Sequence, residues 1–95
     1  MLVKNVSSSE FVKMNGAYCI GQNRVSIYAS ADHSVDAYCI DIESARKFVA
    51  ILFAMDAAGV RGLDLAKVHV NGHINLDSEI FREFDPSRPR ELSAE

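Results

Sequence analysis

The stretch AYCIGQNRVSIYASADHSVDAYCI, residues 17–40, decides the fold because it holds three β-rich runs, at residues 17–20, 25–31 and 34–40. Aromatic and β-branched residues favour strands, and the Gly, Asn and Asp residues between the runs favour turns. The tetrapeptide Ala-Tyr-Cys-Ile occurs twice, at residues 17–20 and 37–40. The pattern predicts a three-stranded antiparallel meander whose outer strands carry the two copies.

Two turns determine the predicted register of this meander. A turn through residues 21–24 pairs Ile20 with Val25, and a turn at Asp32-His33 joins the second strand to the third. Because side chains alternate between the two faces of a strand, a slip of one residue exchanges the faces. In this register the core face consists of Tyr18, Ile20, Val25, Ile27, Ala29, Tyr38 and Ile40. The other face carries Ala17, Cys19, Ser26, Tyr28, Ala37 and Cys39.

The recurrence of tyrosine every ten residues, at Tyr18, Tyr28 and Tyr38, has two interpretations. A stacking platform for single-stranded nucleic acid would need basic groups beside the rings, and Arg24 is the one basic residue nearby. The predicted register also puts Tyr28 on the opposite face from the other two. Packing in the core is therefore the expected role of these rings.

The two cysteines are expected to be free thiols. Cys19 and Cys39 fall on the outer strands of the meander, with the central strand between them. Two strand spacings are about 9–10 Å, whereas Cα atoms joined by a disulfide lie within about 7 Å. The first residues also lack the basic-then-apolar order of a secretory signal. Reduced thiols and a cytoplasmic location are therefore expected.

A long helix follows the meander. Asp41 is a good N-cap, the apolar pattern predicts a helix from about residue 42 to 58, and Gly59 stands where a left-handed residue ends a helix. Val60 is placed to fold back on Met55 in a Schellman motif.

This helix is more apolar than contact with one sheet face requires. Its apolar arc covers roughly 200° of the helical wheel, about twice what a sheet face needs. The excess predicts a homodimer or another hydrophobic partner site that includes Phe53, with burial by the terminal segments as the competing explanation. Asp56 lies on the same arc, where it either faces water or pairs with Arg61 or a partner chain.

The N-terminal segment predicts a strand and a short helix. Residues 2–6 indicate a strand or an extended lead-in. Ser7 followed by Glu10 has the spacing of a capping box, and the helix that it predicts covers residues 8–14.

The C-terminal segment predicts a second short helix. Asp77 is expected to cap a helix near residues 78–84, and a strand through Ile80, Arg82 and Phe84 is the alternative. Residues 85–95 carry two prolines and many charges, which predicts a mobile tail.

An Asn-Gly dipeptide predicts a β-hairpin within residues 67–76. A two-residue loop would pair His69 with Ile74, whereas a three-residue loop pairs His69 with His73. The apolar pattern favours the second arrangement, which puts the two imidazoles on one face with Cβ atoms about 4.5–5.5 Å apart. Such a pair suits a partner contact, a pH response or a transition-metal ion.

Composition and charge argue against several functions. The net charge is −3 and Lys and Arg are scattered, whereas nucleic-acid binding requires a basic stripe. The longest apolar run, residues 48–55, is far shorter than the ~20 residues of a membrane span. From Val25 to Ala45 there is no Lys or Arg but there are four carboxylates, which indicates either a solvated acidic edge or a patch for a basic partner. The four are Asp32, Asp36, Asp41 and Glu43.

The sequence as a whole predicts an α+β fold in which a small antiparallel sheet packs on one long helix. The sheet consists of the three-stranded meander plus the C-terminal hairpin, and a short helix precedes it. Residues 1–84 are expected to form one globular domain and residues 85–95 a mobile C-terminal tail.

The expected function is that of a small protein-interaction module, a regulator or inhibitor that docks to a protein partner. Immunity proteins and phage-encoded inhibitors are classes of similar size and charge. The candidate partner-binding residues are Phe53, Asp56, His69 and His73. The alternative is a small ligand- or metal-binding protein that uses the His69/His73 hairpin. No motif for catalysis or cofactor binding is present, so neither an enzyme nor a cofactor is expected.

Overall fold

The structure, a computed structural model, describes residues 1–85 and confirms the α+β class. Its elements in chain order are β1 (Leu2–Lys4), β2 (Phe11–Lys13), β3 (Gly16–Ile20), β4 (Arg24–Ser30), β5 (His33–Tyr38), α1 (Ile42–Ala57), β6 (Gly62–Asp64), a first 3-10 helix (Leu65–Val68), β7 (His69–Val70), β8 (His73–Ile74) and a second 3-10 helix (Glu79–Phe84).

These strands form three small sheets. The central sheet has the order β3-β4-β5 and is the antiparallel meander that the sequence predicts. The N-terminal sheet has the order β2-β1-β6, with β1 antiparallel to β2 and parallel to β6. The hairpin β7-β8 forms a separate two-stranded sheet; β8 contacts β5 without pairing with it, so the hairpin does not extend the central sheet as predicted.

The core lies on the inner face of the central sheet. The helix α1 covers this face over β3 and β4, and β2 covers it over β4 and β5. Val25 and Ile27 of β4 are fully buried between these layers, as is Val12 of β2. The largest buried side chains of α1 are Phe48, Ile51, Leu52 and Met55.

The predicted helix at residues 8–14 is wrong, because β2 forms there. The segment of the apparent capping box instead forms a tight loop, which the side chains of Asn5 and Ser8 hold. Asn5 Oδ1 accepts a hydrogen bond from the Ser7 amide at 3.2 Å, and Ser8 Oγ accepts one from the Glu10 amide at 3.2 Å. The loop folds Val12 onto the core, where its burial outweighs the local helical preference.

The register between β3 and β4 differs from the prediction by one residue. Arg24 belongs to the strand, so the loop contains residues 21–23 and Ile20 lies opposite Arg24 rather than Val25. Because the difference is odd, β3 turns its other face to the core.

The register between β4 and β5 differs from the prediction by three residues. The turn lies at Ala31-Asp32, and a bulge between Tyr28 and Ser30 shifts the pairing further. As a result Ile27 lies opposite Val35, three residues from the predicted partner. This difference is also odd, so β5 is reversed too, while the face assigned to β4 is right.

The two Ala-Tyr-Cys-Ile repeats therefore bury their small residues and expose their large ones. Ala17, Ala37 and Cys39 are buried and Cys19 is half-buried. By contrast, Tyr18 is 52% exposed, Tyr38 is 44% exposed and Ile40 is 70% exposed. The predicted core positions of Tyr18, Ile20, Tyr38 and Ile40 are wrong. Large side chains on α1 fill the space above β3, so the inward side chains of that strand have to be small.

The helix is confirmed, together with both of its caps. Asp41 Oδ1 accepts a hydrogen bond from the Ser44 amide at 2.8 Å. At the other end, the Val60 amide donates to the Met55 carbonyl at 3.1 Å, which is the bond of a Schellman motif.

The C-terminal part of the described chain covers the side of α1 that the sheet leaves open. The ring of Phe81, in the second 3-10 helix, meets Phe48 edge-on with centroids 5.7 Å apart. Asp85 is buried, and its carboxylate lies 3.0 Å from Lys47 Nζ on α1. The predicted helix near 78–84 is thus a 3-10 helix capped by Ser78 rather than Asp77. Residues 86–95, most of the predicted tail, lie outside the described residues.

The two cysteines are free, as predicted. They lie on the core side of β3 and just after β5, with β4 between the two strands. Burial, together with the neighbouring Cys19 and Asp41, raises the pKa of the Cys39 thiol to about 12.

Replacement of Ile27 by Ala should lower the free energy of unfolding by roughly 2–4 kcal/mol, because it leaves a cavity in the core. Tyr28→Ala should cost less, because Tyr28 lies on the outer, partly exposed face. Urea denaturation of both variants tests this order. If Tyr28→Ala is the more damaging change, the outer face of β4 is part of the internal core.

Cys19 should react with iodoacetamide in the folded protein while Cys39 does not. A thiol whose pKa is about 12 has almost no thiolate at pH 8, and the side chain is also buried. Mass spectrometry should show one adduct, and a second after unfolding in urea. The control variant Cys19→Ala should give no adduct before unfolding. Labelling of Cys39 at the same rate as Cys19 would contradict its burial.

Candidate functional site

The two histidines of the hairpin do not form the predicted pair. Asn71 and Gly72 have φ angles of 54° and 86° and form a two-residue turn, so His69 lies opposite Ile74. The three-residue loop is therefore wrong. Residues opposite each other share a face and their neighbours take the other, so His69 and His73 point to opposite sides of the hairpin. Among residues 1–85, no three His, Cys, Asp or Glu side chains are grouped as metal ligands.

The other two predicted site residues lie on the second half of α1. Phe53 is 45% exposed, so it is the part of the apolar arc that the second 3-10 helix does not cover. Asp56 Oδ1 lies 3.0 Å from the amino group of Met1, so its partner is not Arg61. The start of α1, not this half, adjoins the hairpin across a groove of about 690 Å³. The structure therefore does not bring the four predicted residues into one site. A homodimer through Phe53 stays a prediction.

A different surface gathers side chains that are suited to binding. In the observed register Tyr18 lies opposite Ser26, and Tyr38 lies opposite Arg24. Tyr28 has the same parity along β4 as these two partners, so all three tyrosines share the outward face of the central sheet. The prediction that Tyr28 lies opposite the other two is wrong. We call this surface the tyrosine face, which consists of Tyr18, Ile20, Arg24, Ser26, Tyr28, Asp36 and Tyr38.

Two of the rings are held in place by their neighbours. Tyr18 and Tyr28 have ring centroids 5.7 Å apart at an angle of 58°. The Tyr28 ring lies over Gly16, its partner on β3, so closely that any side chain at position 16 would collide with the ring. Glycine at position 16 thus leaves room for the Tyr28 ring in its observed position beside Tyr18. The result is a packed pair of rings on the outward face of the central sheet.

The polar groups of the tyrosine face lie between the rings. Arg24 Nη1 is 3.8 Å from Asp36 Oδ2, and both side chains are part-exposed. The buried Nε of Arg24 has no hydrogen-bond partner among residues 1–85. Ser26, between Tyr18 and Asp36 in the register, is buried although it lies on the outward face. The guanidinium and the carboxylate therefore keep hydrogen-bonding capacity.

The edge of the tyrosine face is acidic. Asp32 lies in the turn before β5 and Asp41 follows its end, and both are exposed. The Ser44 amide, which donates to the carboxylate, lowers the pKa of Asp41 below its usual value. Asp41 is thus ionised at neutral pH. This edge belongs to the segment from Val25 to Ala45 that contains no Lys or Arg.

The other surface features of the described residues do not combine aromatic rings with polar and charged groups as the tyrosine face does. An apolar groove of about 570 Å³ lies between the outward side of the N-terminal sheet and the second 3-10 helix, lined by Leu2, Phe11, Ile80 and Phe84 among others. None of the helices within residues 1–85 combines the length and the hydropathy of a membrane span. The tyrosine face remains the surface that combines exposed rings, hydrogen-bonding groups and a charged edge.

Sequence reasoning missed the tyrosine face, although one signal pointed to it. The ten-residue spacing of the tyrosines is the sum of a strand and a turn, so it places the rings on successive strands. Whether they share a face depends on the parity of each turn, and both turns differ from the predicted ones by an odd number.

Comparison with known proteins gives no family to which the tyrosine face can be referred. No protein-family model matches the chain, and no curated protein or solved structure shows significant similarity to it.

Proposed function

We propose that this chain is a protein-interaction module that docks to a protein partner through the tyrosine face. It acts as a regulator or inhibitor by covering a surface of that partner. The observation that supports the proposal is the alignment of Tyr18, Tyr28 and Tyr38 on the outward face of the central sheet.

The residue types of the tyrosine face favour a protein partner. Tyrosine and arginine are enriched in the cores of protein interfaces and among the residues that dominate binding energy. A tyrosine ring gives a large contact area at a low cost in conformational entropy, because it has only two side-chain torsions. The contacts of Tyr28 with Tyr18 and Gly16 reduce that cost further.

The charges around the tyrosine face favour a basic partner surface. The acidic edge would attract lysine and arginine side chains and increase the rate of association. An arginine of the partner can also stack on an exposed tyrosine ring. Nucleic acid is disfavoured for the same reason, because its phosphates would meet Asp36 and Asp41.

The double variant Tyr18→Ser/Tyr38→Ser should lose the partner. The wild-type chain and the variant would be immobilised side by side, and proteins retained from the source cell identified by mass spectrometry. Binding of the purified partner would then be measured by isothermal titration calorimetry. Loss of the two most exposed tyrosines should weaken binding by about thirtyfold or more, which is the effect of a single strong hot spot.

Phe53→Ser is the matched control, because Phe53 is an aromatic residue of similar exposure on a different surface. It should retain the partner with less than about threefold change. Circular dichroism should show that all variants are folded. If Phe53→Ser loses the partner and the tyrosine variant keeps it, docking belongs to α1 and the proposal is wrong.

A further inference from the structure

The outer edge of β5 has backbone groups that can accept another strand. The Cys39 amide donates to the Asn23 carbonyl at 2.7 Å, so these two residues form a hydrogen-bonded pair of the β4–β5 ladder. Bonding alternates along an antiparallel ladder, so Val35 and Ala37 also bond to β4. The amides and carbonyls of the residues between them face away from β4; these residues are Ser34, Asp36 and Tyr38.

Within residues 1–85, these outward groups take part in no hydrogen bond with another element. They face an open groove of about 430 Å³ that lies between β5 on one side and Asn5, Val6, Ser7 and His69 on the other. Hydrogen bonds hold the opposite wall of the groove. The Asn5 amide donates to the Glu10 carbonyl at 2.9 Å, and Asn5 Oδ1 accepts from the Ser7 amide. An unpaired strand edge beside a groove is the geometry of strand addition.

The geometry points to an extended peptide segment of the partner protein that adds to β5 as a fourth strand of the central sheet. This inference rests on the proposed function and specifies how the partner reaches the tyrosine face. Alternate side chains of the added strand would lie on the same side as Tyr38 and continue the tyrosine face.

The charge of the groove indicates which type of peptide residue lies opposite the centre of β5. Asp36 is the one carboxylate that lines the groove, and no Lys or Arg lines it. Its contact with Arg24, at 3.8 Å, is too long for a hydrogen bond, so its oxygens are available to a donor. A lysine or arginine directly opposite Asp36 therefore completes a favourable cross-strand pair.

The same charge disfavours a second copy of the chain as the added strand. A two-fold antiparallel pairing that uses Ser34, Asp36 and Tyr38 would place Asp36 opposite the Asp36 of the other copy. Like charges directly opposite each other destabilise a pair of strands.

A phage-displayed library of random linear peptides, selected on the full chain, tests the inference. The enriched peptides should carry Lys or Arg, and Asp36→Lys should weaken their binding at least about tenfold. Glu83→Lys is the matched control, because Glu83 is an exposed carboxylate of the second 3-10 helix that does not line the groove. It should change the affinity by less than about threefold.

Amide hydrogen exchange of the wild-type chain measures directly whether the bound peptide pairs with β5. Bound peptide at ten times its Kd should slow exchange of the Ser34, Asp36 and Tyr38 amides about tenfold, because only the free form exchanges. The Ala17 and Cys19 amides, on the free edge of β3, are the internal control and should not change.

Three results would overturn the inference: no enriched peptide, equal binding to Asp36→Lys, or exchange that slows away from β5. A peptide that shifts the ring signals of Tyr18 and Tyr28 without slowing exchange at β5 would leave the proposed function in place. In that case the partner would contact only side chains.

Discussion

The packing of α1 on the central sheet is the interaction on which the rest of the structure depends. The helix brings Phe48, Ile51, Leu52 and Met55 to one side, and all of them are buried. Space beneath them is limited, so the inward residues of the adjoining strand β3, Ala17 and Cys19, are small. The strand β5, which β2 covers, places Val35 and Ala37 inside. The tyrosines and isoleucines that alternate with these residues are then forced outward. The exposed aromatic surface thus follows from the volume of the helix side chains.

Elements with strong local signals could be predicted from the sequence. Asp41 and Gly59 delimit α1 because the cap and the Schellman bond are local interactions, independent of the remainder of the fold. The three strands of the meander were also predictable, since each is a β-rich run between turn residues. The free state of the cysteines followed from strand order alone, which does not depend on register.

The register could not be predicted, because it depends on turn lengths that single residues decide. Arg24 is assigned to a turn by the sequence pattern but belongs to β4, and no residue type in the sequence indicates the bulge near Ala29. The prediction placed large apolar side chains inside, which is sound for a sheet considered alone. It fails here because the large side chains of α1 occupy the core on the inner face of the sheet. The prediction of the exposed site was wrong for the same reason, since an odd shift in register changes which residues of a strand are exposed.

The predictions for the N-terminal segment and for the hairpin loop were wrong for a related reason. Ser7 and Glu10 have capping-box spacing, but pairing of β2 with β1 buries Val3 and Val12, a gain from distant contacts that local spacing does not reveal. In the hairpin, the apolar pattern argued for a three-residue loop. The preference of Asn-Gly for a two-residue turn prevailed, and the exposed Val70 is its consequence.

Proton–proton contacts across the central sheet test the account most directly, since the exposed face depends on the register. The Cα atoms of a non-hydrogen-bonded antiparallel pair lie about 4.5 Å apart, so their Hα protons give strong nuclear Overhauser effects. The structure predicts such effects between Ser26 and Asp36 and between Arg24 and Tyr38. Cross-strand contacts that pair Ile27 with Tyr38 instead would return the tyrosines to the core and contradict the account.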